Sequence, residues 1–154
     1  MASFLIGVHA GLGEMAIFGA LWIFVELLSP TAARVKRAQL ISLAVLAFIC
    51  LSWLIGGFYY LTEYGKVVKP VILNGPQPWG HEVFTEVKEH VFLFLPFLSA
   101  FLVVILMQCN VLKDKNAWKA ALLIAGLIVL LGLSMVGMGY MISTAARSGL
   151  EASV

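Results

Sequence analysis

The chain has 154 residues, of which 62% are hydrophobic and only 12% charged, and its formal net charge is +2. That balance excludes an ordinary soluble domain. Four apolar stretches approach or exceed the roughly 20 residues that a bilayer crossing needs, which is the pattern of a multi-pass membrane protein. No segment is left over for a second domain. The expected fold class is therefore all-α, an integral membrane four-helix bundle over residues 1–154, with helices near 3–28, 40–61, 82–111 and 118–142 and an outer loop over 62–80.

The first span has no Lys or Arg ahead of it. It also runs past the roughly 7–15 apolar residues of a signal peptide, so it is expected to be retained. Gly7, Gly11, Gly13, Ala16, Gly19 and Ala20 let neighbouring backbones approach closely in lipid. Ser29-Pro30 ends the helix, and Glu26, one turn earlier, is read as an ion-pair partner for the loop that follows. That loop carries Arg34, Lys36 and Arg37, and the loop after the third span carries Lys113, Lys115 and Lys119 against one acid, Asp114. Short Lys/Arg-rich loops stay cytoplasmic, which puts both termini on the non-cytoplasmic side of a bacterial-type inner membrane. The basic clusters are then topology signals, and no nucleic-acid partner is expected.

The second span contains Cys50 and ends in an aromatic belt of Trp53, Phe58, Tyr59, Tyr60 and Tyr64, which reads first as an interfacial anchor. Pro70, Gly75, Pro76, Pro78 and Gly80 then break regular structure. Glu82, Glu86 and Glu89 follow at steps of four and three, so they form one acidic stripe on a helix. Pro96 should kink the third span, and Cys109 lies at its cytoplasmic end. Neither cysteine reaches an oxidising side, so no disulfide is expected. The fourth span carries Met135, Met138 and Met141 in its outer half.

The histidines are the chemically informative residues. His9 lies about 9 Å below the start of the first helix, and His90 opens the third apolar run on the same side. A histidine in hydrocarbon is costly unless a metal, a proton or a polar partner uses it. Two imidazoles facing each other across a bundle hold a b-type haem by both axial positions. Gly13 and Ala16 beside His9 leave a groove, and Phe94, Phe97 and Phe101 beyond His90 offer an aromatic wall. Ordinary helix packing explains either stripe alone; the two histidines at matching depth favour haem. His81 is the alternative ligand, although its place beside Gly80 suits a loop or surface residue.

Glu14 is deep in the first helix with no cation nearby in sequence, about 140° around from His9. Glu14, Tyr60 and Glu86 are candidates for a proton path or for polar groups on the side of a quinone. The methionines, with His9 or His90, suit Cu(I), although Met is also a common gap-filler. A di-iron site needs Glu-x-x-His on two helices; here Glu86 and His90 are four apart and no second motif exists.

The stretch from Val8-His9 to Gly19-Ala20-Leu21-Trp22 resembles the first helix of small bacterial membrane proteins of the copper-resistance D and HemJ-like group. The resemblance implies four helices and b-type haem binding, carried here by His9 and His90. The expected function is electron transfer through one haem b near the outer face, in a subunit of a quinone-linked complex. Copper or metal-ion handling and a structural role in a membrane complex are the alternatives. Expected partners are the lipid bilayer, quinone, and other membrane subunits or further copies of the chain.

Overall fold

A computed structural model describes residues 2–152. Its regular structure is helical throughout, with no strand among the described residues. Four helical stretches are long and apolar enough to cross a membrane: Phe4–Leu28, Ala32–Asn74, Gly80–Gln108 and Lys115–Ala152. The first lies within helix α1, Ala2–Leu28. The second comprises α2 (Ala32–Tyr59), a π-helical segment (Tyr60–Val68) and α3 (Lys69–Asn74). The third comprises a π-helical segment (Gly80–Thr85), α4 (Glu86–Phe92) and α5 (Phe94–Gln108). The fourth is α6, Lys115–Ala152.

Local chemistry sets the helix ends. The Thr31 hydroxyl accepts from the Arg34 amide at 3.3 Å, a side-chain cap for α2. Asp114 Oδ1 accepts from the amides of Asn116 and Ala117 at 2.8 and 3.1 Å and starts α6. Pro96 has no amide to offer the Phe92 carbonyl, and its ring crowds that carbonyl. The third helix accordingly breaks at Leu93, one residue beyond Phe92.

The loop expected over 62–80 is largely absent. Residues 60–74 continue the second helix, and the irregular connection shrinks to Gly75–Pro78. Pro70 falls where the π-helical segment gives way to α3, the point at which the backbone hydrogen-bond register changes. Packing supports the extension: Ile72 is fully buried and clusters with Tyr64 and Ala145 of α6. The 43 residues of this helix span about 60 Å at 1.5 Å per residue, twice the roughly 30 Å of hydrocarbon. A hydrocarbon layer of that thickness covers about half of the helix.

In the bundle, α1 packs against α2 and α6, and α5 packs against the same two helices. That leaves α1 and α5 across the diagonal. Ala16, Ala20, Ile23 and Leu27 give α1 a buried stripe at steps of four, three and four, facing Val45, Ile49, Leu102, Leu106, Ala121, Ala125 and Ile128 from the other helices. Small residues set the spacing. A Cβ at Gly132 would lie 2.5 Å from Ile17 Cγ1, so α6 approaches α1 only with glycine there. The bundle has two chemically distinct ends. One carries Glu26, Arg34, Arg37 and the loop before α6 (the basic end); the other carries Tyr59, Tyr60, Tyr64 and His81 (the tyrosine end).

Candidate functional site

At the tyrosine end, three polar side chains are packed out of solvent: Tyr64, His81 and Thr85, with exposures of 4%, 4% and 6%. All three lie on the two π-helical segments. A π-helical stretch forgoes the regular i→i−4 ladder and re-aims its side chains, and such stretches gather at functional sites. Gly80, at the start of the second segment, presses against Ala145 so closely that a methyl group at that position would collide with it. This contact seats His81 between the second helix and α6.

The hydrogen bonds form one continuous chain. The Thr85 hydroxyl donates to the Gly80 carbonyl at 3.1 Å, because a carbonyl only accepts. Thr85 Oγ1 is then the acceptor for the Tyr64 hydroxyl, 2.7 Å away. With its single proton spent on Thr85, the Tyr64 oxygen accepts from His81 Nδ1 at 3.2 Å. The chain of donors reads His81 to Tyr64 to Thr85 to Gly80. This order of donors calls for the Nδ1–H tautomer of the neutral ring, which has its lone pair on Nε2. That lone pair faces Glu86 Oε1 at 3.7 Å. In that tautomer both facing atoms are acceptors, and the pair His81 Nε2–Glu86 can receive a proton. Tyr60 stacks on Tyr64, with centroids 5.2 Å apart at 22°, and Tyr59 lies 6.4 Å away, so the cluster has an aromatic wall. The Glu89 carboxyl lies beside the Tyr60 hydroxyl.

The residues expected to hold haem are not gathered into one site. His9 is half-buried against α2: its Nδ1 donates to the Ser52 carbonyl at 2.8 Å, and a Cβ at Gly56 would lie 2.6 Å from that nitrogen. Ser52 Oγ also donates to the His9 carbonyl at 2.9 Å. His90 is exposed, with Nδ1 2.6 Å from the Glu86 carbonyl one turn back. Lys88 reaches inward, its Nζ 3.4 Å from where a Gly139 Cβ would be, and His90 lies about 200° around the helix from it. The two histidines thus occupy helices that are not neighbours, and one of them faces away from the bundle.

The supporting stripes also point elsewhere. The groove expected at Gly13 and Ala16 is filled: a Gly13 Cβ would meet Ser52 Oγ at 3.7 Å, and Ala16 is a core residue, 2% exposed. The aromatic wall faces outward, with Phe94, Phe97 and Phe101 all exposed. Helix hydrophobicity carries this ambiguity, because lipid and bundle core are equally apolar. Two surface grooves of about 310 Å³ each are lined by Met15, Phe18, Trp22, Phe48 and their neighbours, and by Phe24, Leu123, Gly126 and theirs, with no histidine in either. The residues present do not fit a bis-histidine haem. Among the described residues no three His, Cys, Asp or Glu side chains converge as a metal site would require. Met135 is a buried core residue and fills space between the helices.

His81, expected in a loop or at the surface, is instead the most deeply buried histidine. Glu86 is half-buried beside it, Glu82 and Glu89 are exposed, and Tyr60 is half-buried. Glu14 faces outward from the bundle. At the basic end, the ion pair expected for Glu26 is present: Arg37 Nε and Nη2 donate to its two oxygens at 2.8 and 3.0 Å, and Trp22 Nε1 donates to Oε1 at 3.0 Å. Both cysteines are free thiols. Comparison with protein-family models, curated proteins and solved structures finds no match to this chain.

Proposed function

We propose that this multi-pass membrane protein is the quinone-linked subunit of a redox complex, and that its tyrosine-end cluster binds a quinol headgroup and takes its protons. The Lys/Arg loops orient the basic end to the cytoplasm of a bacterial-type membrane, with both termini on the other side. The tyrosine end then stands at the outer lipid boundary, where a quinol headgroup resides. A quinol offers hydroxyl donors, and the His81 Nε2–Glu86 pair offers acceptors without a donor of their own. The Tyr60 ring supplies a flat apolar face beside them. A proton received at His81 Nε2 passes to Glu86, which is half exposed, and from there to water. The electrons leave to a redox centre of a partner subunit.

The single observation carrying this reading is the buried His81–Tyr64–Thr85 hydrogen-bond chain, with His81 Nε2 left 3.7 Å from Glu86 Oε1. The test is a titration of the purified protein in nanodiscs with a short-chain quinol under anaerobic conditions. The reading predicts saturable binding, weakened about tenfold by His81→Gln or Glu86→Gln, the scale of one lost hydrogen bond. Glu26→Gln, at the other end, leaves it unchanged. Absence of saturable binding, or equal affinity in all four proteins, overturns the reading.

A further inference from the structure

The outward face of α1 has a feature the quinone reading does not use. Successive residues advance by about 100°, so Phe4, Gly7, Ala10, Glu14, Phe18 and Val25 fall on one face. All six are exposed, and none is covered by another helix of the bundle. Five suit lipid. Glu14 does not, and it lies near the centre line of the face. Along α1 it is about 18 Å from Glu26, which marks the basic end. That distance puts it near the middle of a hydrocarbon layer of about 30 Å. It makes no hydrogen bond or ion pair with any described residue. A carboxyl group in that position needs a partner from outside the chain.

We propose that this partner is the Glu14 of a second copy, and that the outward face of α1 is the interface of a parallel dimer with its twofold axis along the membrane normal. Such an axis brings each residue of the face opposite its own counterpart. A protonated carboxyl group carries one donor and an acceptor, so two of them across a twofold satisfy each other completely. No other side chain on this face offers that match. Cβ atoms at Gly7 and Gly11 would meet nothing in their own chain. Their lack of side chains lets the second α1 approach to backbone distance about one and two turns from the carboxyl pair.

Single-molecule photobleaching of labelled protein in dilute liposomes reads the stoichiometry directly. The wild type is expected to bleach in two steps. Glu14→Leu, which leaves the outward face wholly apolar, is expected to raise the dimer dissociation constant about tenfold. Glu14→Gln, whose amide is also both donor and acceptor, is expected to keep the dimer. Ala10→Cys, in a Cys50→Ser/Cys109→Ser background, is expected to cross-link under oxidation. A monomeric wild type overturns the proposal and assigns the face to a different subunit. A Glu14→Leu dimer as tight as wild type, or no cross-link at position 10, overturns it equally. Since Glu14 faces away from the bundle, Glu14→Leu should retain quinol binding and helical content, which separates a lost interface from a lost fold.

Discussion

The two ends of the bundle each withdraw an ionisable residue from solvent, and they do it in opposite ways. At the basic end, Glu26 is buried on a regular α-helix and its carboxylate is fully partnered by Arg37 and Trp22, with Arg34 at 3.6 Å. At the tyrosine end, His81 is buried on a π-helical segment, and one of its nitrogens is bonded while the other faces an acceptor. A saturated site has no capacity left for a ligand or a proton, and its work is to hold α1 to α2. An unsaturated site held in irregular helix has that capacity, and its geometry is maintained only because Ile72, Ala145 and the stacked tyrosines pack around it. Residue type alone does not separate the two ends. The distinction lies in how completely each group's donors and acceptors are used.

Several substitutions sharpen this contrast. The largest effect is expected from Gly80→Val, which forces a branched side chain against Ala145. Overpacking of this kind costs about 1–3 kcal/mol. The loosening should be confined to residues 60–92 and the adjoining half of α6, read as faster amide exchange there while the basic end stays protected. Tyr64→Phe removes the hydroxyl shared by His81 and Thr85 and is expected to cost about 1–2 kcal/mol in detergent melts. A Tyr64→Phe protein as stable as wild type would mean that the chain of donors carries no weight. Glu26→Gln keeps an acceptor for its neighbours and loses only the charge, and Arg34 and Arg37 are partly exposed. Its effect should be smaller, and visible chiefly as a loss of the salt dependence of stability at the basic end. His90→Ala is expected to change stability by less than about 0.5 kcal/mol. It should also leave the absorption spectrum of the purified protein unaltered, whereas loss of a Soret band in that variant would restore the haem reading.

The contrast also explains what could be read from the chain beforehand. The spans were legible because hydrophobic length is a one-dimensional property, and the Glu26 pair was legible because its partners lie one short loop away. The helix over 60–74 was hidden by Pro70, a breaker that the fold accommodates at the junction of the π-helical segment and α3. The Phe94, Phe97 and Phe101 stripe was read inward because a membrane helix shows the same apolarity toward lipid and toward its neighbours. The burial of His81 was hidden for a different reason. Its role depends on Tyr64, 17 residues earlier, and on Ala145 of α6, and no local spacing reports either contact. A usable signal was present in the tyrosine run followed by Gly-His and Glu at a helix start, since a buried histidine there needs both an aromatic wall and a hydrogen-bonding neighbour.

The donor chain from His81 through Tyr64 and Thr85 should leave Nε2 unprotonated beside Glu86. Nitrogen-15 spectroscopy of selectively labelled protein in nanodiscs, at a pH where the ring is neutral, reads the tautomer of His81 directly. That arrangement predicts a protonated Nδ1 and a bare Nε2 in the wild type, with that preference lost in Tyr64→Phe. A wild-type ring protonated at Nε2 would contradict it.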